Sequence, residues 1–180
     1  MEPVCPLDFR YGQPEMKKVM SYQARVERCL KAEAALARAH AKVGNIPAEA
    51  AEEITEKATL EHVSIERVEE IERDIKHDIM AIVNALTEIC GKEAGKYIHF
   101  GATSYDIVDT ALAMQMDEGL FILDRRLEKI EQSLMNLARE NRDLVMVGRT
   151  HGQHAIPITL GLKMAVYLSE FHRHRQRLRE

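Results

Sequence analysis

The sequence predicts an all-α chain, with an N-terminal helical domain over residues 1–103 and the first long helices of a bundle over 104–180. Three observations carry this. Trp is absent, aromatic residues make up 5%, and Ala, Leu, Met, Glu and Arg are plentiful, which favours helix over sheet. Ile71, Ile75, Ile79, Ile82, Leu86 and Ile89 recur in steps of three and four, the spacing of one helix face. Leu120, Leu123, Leu127, Ile130, Leu134 and Leu137 repeat that alternation as a near-heptad seam.

In chain order, residues 1–13 read as irregular, with Pro3, Pro6 and Gly12. Pro14 opens a helix, since its missing N–H costs little in a first turn. Met16, Val19, Val26, Leu30, Ala34 and Ala37 mark one helical face to about Val43, where Gly44-Asn45 supplies a stop. Pro47 starts a short Glu-rich helix ending near Lys57, and Ser64 is placed to cap the next. The isoleucine stripe forms one helix or two, with a break before His77. Gly91 and Gly95 bracket a turn, and residues 97–106 are irregular and polar. Thr103 or Ser104 caps the longest helix, which runs to about Asn141 and spans roughly 55 Å. Residues 148–161 are neither helix-periodic nor strand-alternating, and a last helix covers 159–179. A long helix does not bury its apolar stripe alone, so further sequence, other subunits or both are expected.

The 180 residues, 46% hydrophobic and 30% charged, are enough for a globular core. A net charge of −4 gives no reason to expect nucleic acid, and Arg173, Arg175, Arg177 and Arg179 read as one solvated helix face. Cys5, Cys29 and Cys90 fit neither a zinc spacing nor a disulfide framework, so reduced thiols in a cytoplasmic protein are expected. The N-terminus lacks the pattern of a signal peptide, and no apolar run reaches membrane-spanning length.

Four clusters carry candidate chemistry. Gly-Arg-Thr-His-Gly-Gln-His (148–154) sets Arg149, Thr150, His151 and His154 among glycines between two long helices. Reactive side chains on short irregular backbone between rigid elements suggest a catalytic site. His99, Thr103 and Ser104 surround the start of the longest helix, whose free N–H groups and partial positive charge suit a carboxylate. His77-Asp78 and Arg10-Tyr11 complete the set. Histidine both gives and takes a proton near neutral pH, so the parts suit an anionic substrate and a proton-transfer reaction. Metal binding is disfavoured by the absence of a helical His pair with an acidic third ligand, and serine hydrolysis by the absence of Gly-x-Ser-x-Gly.

Gly-Arg-Thr-His-Gly-Gln-His-Ala-Ile-Pro-Ile-Thr (148–159), His-Phe-Gly-Ala-Thr-Ser-Tyr-Asp (99–106), Lys-His-Asp-Ile-Met-Ala (76–81) and Arg10-Tyr11 with Pro14-Glu15-Met16 occur in this order. Together they resemble the N-terminal part of the adenylosuccinate lyase family, in the fumarase/aspartase superfamily. The resemblance implies cofactor-free, metal-free release of fumarate from adenylosuccinate and from succinyl-aminoimidazole-carboxamide ribotide, in purine biosynthesis. It implies that His151 is the general acid beside Thr150, that His77 orients acid and substrate, and that Asp78 is its pocket neighbour. Thr103 and Ser104 resemble the residues that bind the succinyl carboxylate; Arg10, Tyr11 and His99 resemble contacts to phosphate and ribose. It further implies a homotetramer with active sites shared by three subunits, a nucleotide substrate, and no nucleic acid or membrane partner. Tyr105 stands where the family pattern has a smaller polar residue. The family's base is a serine in Ser-Ser-x-Met-Pro-x-Lys-x-Asn, a segment absent from these residues. A sister lyase or cycloisomerase, such as argininosuccinate lyase or carboxymuconate cycloisomerase, and a non-catalytic helical oligomerisation module are the alternative readings. With the base elsewhere, the purified 180-residue chain is expected not to turn over adenylosuccinate in an ultraviolet absorbance assay; turnover there overturns that assignment.

Overall fold

A computed structural model describes residues 11–180. Its elements are α1 (Pro14–Val19), α2 (Tyr22–Lys42), α3 (Ala48–Lys57), α4 (Ile65–Ile75), α5 (Asp78–Ile89), α6 (Lys92–Gly95), α7 (Ser104–Glu140), β1 (Val145–Thr150), β2 (Gln153–Thr159) and α8 (Leu160–Arg179). The expected all-α class holds, with one small antiparallel sheet added. Packing divides the chain into two compact units, Met1–Gly119 and Leu120–Glu180, so the division falls within α7.

The first unit is built on α2. The helix expected to run unbroken from Pro14 stops at Val19 and restarts at Tyr22, because Ser21 competes for the backbone. Its hydroxyl accepts from the Ala24 N–H at 3.1 Å and caps the second segment. From α2, Val26, Cys29 and Leu30 enter a core shared with Ile54, Val63, Val68, Ile79 and Leu86. Each large side chain fully buried there contributes about 1.5–3 kcal/mol. Gly44, at φ 80°, provides the left-handed stop after α2.

The isoleucine stripe divides into α4 and α5. Lys76 takes a left-handed conformation at φ 56° as the end of α4, and His77 caps α5. Ile75 consequently leaves the core and is 42% exposed, whereas Ile71, Ile79, Ile82 and Leu86 stay buried. The first part of α7 is held to the same unit by polar contacts. Gln115 Nε2 donates to the Val19 carbonyl at 2.7 Å, and the buried Arg28 engages both carboxylate oxygens of Glu118, at 2.8 and 2.5 Å.

In the second unit the segment expected to be irregular is a β-hairpin. Val145 pairs with Thr159, and Thr150 with Gln153. The register shifts between Val147 and Arg149, so Gly148 faces two residues of β2. That bulge, with Pro157 inside β2, removes the period-two pattern by which a strand is read from sequence. Gly148 is required, because a Cβ there would lie 2.6 Å from the Ile156 carbonyl oxygen.

Helix α8 is joined to the later part of α7 by ions. Arg175 donates to Asp124 at 2.6 Å and to Glu131 at 2.9 Å, and its side chain is only 14% exposed. Of the C-terminal arginines, Arg173, Arg177 and Arg179 are exposed as expected, whereas Arg175 departs from the solvated face and covers acidic residues of α7. Gly161, at the start of α8, is pressed against α7 and the turn after it, and a Cβ there would meet the Ala138 carbonyl oxygen and the Arg142 Cα at 2.6 Å each. Gly161→Ala is expected to destabilise the second unit by about 1–3 kcal/mol or more, seen as an earlier thermal transition by circular dichroism.

Candidate active site

The first unit holds a cleft of about 660 Å³ lined by His77, Asp78, Thr103, Ser104 and Tyr105, with Arg25, Glu72 and Lys76. Four of the expected site residues are thus brought together from positions about 25 apart in the chain. Two helices begin at this cleft, α5 at Asp78 and the 37-residue α7 at Ser104. Their first-turn N–H groups and dipoles favour an anion there, while the cations Arg25 and Lys76 share the lining with the acids Asp78 and Glu72.

Thr103 precedes the first residue of α7, and its N–H donates to Asp106 Oδ2 at 2.8 Å. This is the backward-reaching half of a capping box, and it spends Asp106 on the helix end rather than on a ligand. Tyr105 projects to solvent, 71% exposed, and lines the rim of the cleft.

His77 is held by its own helix. Nδ1 accepts from the Met80 N–H at 3.3 Å, so a neutral ring carries its proton on Nε2. Nε2 lies 3.4 Å from Ser104 Oγ, so the ring reaches across to the start of α7. Asp78 is engaged by Arg25, whose Nη2 donates to Oδ2 at 2.6 Å. Burial works to raise the Asp78 carboxyl, but the Arg25 hydrogen bond, the Ile79 N–H and the Arg25 charge outweigh it and hold it below the usual carboxylate range.

The other expected residues are not among those lining this cleft. Tyr11 is exposed ahead of α1. Arg10 lies outside the described residues. His99, at φ 61°, belongs to the loop before α7, where Nδ1 is 2.6 Å from Glu33 Oε1 and its backbone N–H donates to Glu33 Oε2 at 3.0 Å. Thr150 and His151 belong to the second unit. His151 (φ 51°) and Gly152 (φ 72°) form the two-residue hairpin turn, a left-handed pair of the type that joins tightly twisted strands. The turn presents His151 to solvent; His154 sits on β2 opposite Arg149.

Sequence reasoning missed Arg25, Lys76 and Glu33. Arg25 carries no local signal, since its partner is 53 residues away. Glu33 does: Val26, Leu30, Glu33 and Ala37 step by four, three and four along the apolar face of α2, and an acid on such a face demands a partner. Among the described residues no three His, Cys, Asp or Glu side chains are grouped to hold a metal ion, and no helix is long and apolar enough to cross a membrane.

A sequence profile of the family described as "Lyase" matches residues 9–180. The chain belongs to this lyase family. Its relatives include adenylosuccinate lyase of Methanocaldococcus jannaschii, 51% identical over 98% of this chain and 38% of the relative. Adenylosuccinate lyase of Pyrococcus horikoshii is 53% identical over 97% of this chain and 39% of the relative. Among solved structures, a fumarate lyase from Mesorhizobium sp. BNC1 superposes with a TM-score of 0.87 at 43% identity, covering 94% of this chain and 41% of that one. A 3-carboxy-cis,cis-muconate lactonizing enzyme from Pseudomonas putida gives 0.87 at 34% identity, covering 97% of this chain and 40% of that one. The family and its superfamily are those the sequence motifs resemble, and the chain spans about two-fifths of the length of these lyases.

The Arg25–Asp78 pair gives a signed prediction. A depressed carboxylate contributes stability that is present above its unfolded value, about 3.9, and is lost as pH falls through the folded value. Both side chains are more than a third exposed, so water screens the pair and Arg25→Ala is expected to cost at most about 1 kcal/mol at neutral pH. Urea denaturation across pH should show the two proteins converging below about pH 4.

Proposed function

We propose that these residues form the N-terminal part of an adenylosuccinate lyase, which releases fumarate from adenylosuccinate and from succinyl-aminoimidazole-carboxamide ribotide. The observation that carries this reading is identity of 51–53% with adenylosuccinate lyases over nearly the whole chain, well above the level for the superposed structures. In the reaction a base removes a proton beside a succinyl carboxylate, the electron pair forms the new C=C bond, and the C–N bond breaks. The departing nitrogen takes its proton from the general acid.

Thr103 and Ser104 are assigned to the carboxylate of the succinyl group, a role that the free N–H groups and dipole of α7 support. His77 is assigned to orienting acid and substrate, with its Nε2–H directed towards Ser104, and Asp78 is its pocket neighbour. His151 is assigned as the general acid, with Thr150 beside it. The two-residue turn supports this by allowing the imidazole little backbone freedom. Arg10, Tyr11 and His99 are assigned to phosphate and ribose. The reaction in this reading needs no metal or cofactor. The reading extends to a first helical domain over 1–103 with a bundle beginning at 104, a homotetramer and a cytoplasmic enzyme. Half-exposed Leu123, Ile130 and Leu137 on α7, and the free thiols of Cys29 and Cys90, support the last two points.

One comparison favours a second reading. A relative from Dickeya dadantii, 41% identical over 94% of this chain, is named N-acetyl-S-(2-succino)cysteine lyase, so elimination from a succinyl thioether competes with elimination from a nucleotide. The longer lyase that carries these residues should release fumarate from adenylosuccinate and not from the thioether. In it, His151→Gln should lower kcat by roughly 10²–10⁴-fold with little change in KM, read from the ultraviolet absorbance of the product. Retention of kcat within a few-fold removes His151 from the acid's role.

A further inference from the structure

No role in the reaction scheme falls to Arg25. It lines the cleft from α2, and among the described residues its guanidinium is paired with Asp78, Nη2 on Oδ2 at 2.6 Å. Asp78 is the one acid in the first turn of α5. Its Oδ1 lies 3.8 Å from His77 Nδ1, and His77 Nε2 lies 3.4 Å from Ser104 Oγ. A single imidazole ring thus stands between this negative charge and the start of α7, a separation shorter than the screening length of about 10 Å at 0.1 M salt. The pair adds little to stability, since both side chains are more than a third exposed.

Its consequence is for the charge of the cleft. A carboxylate site at a helix N-terminus is weakened by an unbalanced acid beside it, because like charges repel and the acid competes for the same N–H groups. Asp78 is such an acid, and the Ile79 N–H already holds it at the head of α5. The other charges of the lining, Lys76 and Glu72, are opposite in sign, so the balance turns on Arg25. We propose that Arg25 is a positioning residue: acting through Asp78, it cancels that carboxylate's charge and occupies its Oδ2, so that a ligand carboxylate is accepted at the start of α7. The short contact of Arg25 is with the acid, so its influence on the ligand passes through Asp78. That the accepted group is a succinyl carboxylate rests on the proposed function; the pairing of charges does not.

The test uses the longer lyase that carries these residues, titrated by calorimetry with fumarate and with AMP. Arg25→Gln keeps a donor for Asp78 and removes the charge. It should weaken fumarate binding roughly five- to tenfold and leave AMP within about twofold. Arg25→Lys restores the charge and should recover most of the fumarate affinity. Arg25→Gln combined with Asp78→Asn removes both charges of the pair, and it should bind fumarate more tightly than Arg25→Gln does. A merely structural role gives no such recovery, since the second substitution only takes away another contact. Unchanged fumarate affinity in Arg25→Gln, an equal loss for AMP, or a double variant no better than the single one overturns the proposal. A wild type that binds no fumarate overturns it as well. If the fumarate pattern is found but AMP does not bind or adenylosuccinate is not cleaved, the proposed function fails and this inference stands. Cleavage of adenylosuccinate with fumarate affinity indifferent to Arg25 reverses that outcome.

Discussion

Left-handed backbone sets the candidate histidines, each within its own unit. Lys76, His99 and His151 are the non-glycine residues at positive φ among those described. Each is a candidate histidine or immediately precedes one. Such a conformation is uncommon outside glycine and persists where surrounding contacts over-determine it. At Lys76 it ends α4 so that His77 can start α5 facing the cleft. At His99 it is held by a buried carboxylate. At His151 it is half of the turn that reverses the hairpin. In every case a short stretch of constrained backbone hands an imidazole from one rigid element to the next.

The elements on either side explain why this arrangement is affordable. The core of the first unit is apolar and drawn from α2, α3, α4, α5 and α7, so the constrained links between helices add little load. Polar groups inside that unit are matched: Arg28 with Glu118, Glu33 with His99, Gln115 with a carbonyl of α1. Unpaired, any of them would cost several kcal/mol. The second unit is organised differently. Its helices are tied by Arg175 reaching three acids of α7, and the apolar stripe of α7 stays half open. A helix of this length with such a stripe is stable only with further helices against it.

Much of the fold was legible because helices announce themselves locally. The stop at Gly44-Asn45, the short helix after Pro47 and the cap at Ser64 follow from residue chemistry, and all are present; of the two readings the isoleucine stripe leaves open, the structure has the one with a break before His77. The hairpin was not legible, since Gly148, its bulge and Pro157 erase the alternation that marks a strand. The break at Met20 was hidden because a serine cap is readable only against a pattern that stops, and here the apolar pattern continued across it. Arg175 was misread as a solvated charge because nothing in four alternating arginines tells which one faces acids 44 and 51 residues earlier.

The sequence by itself determined the helical class, most helix ends, the lyase family and the residue types of the candidate chemistry. These depend on side-chain spacing and on motifs whose order is read along the chain. Only the tertiary structure decided which groups act on one another. It placed His77 against Ser104, set Arg25 on Asp78, and buried Glu33 beneath His99. Those pairings join residues 27, 53 and 66 positions apart. Their existence depends on how helices pack, and packing is a property of facing surfaces that no single stretch of chain contains.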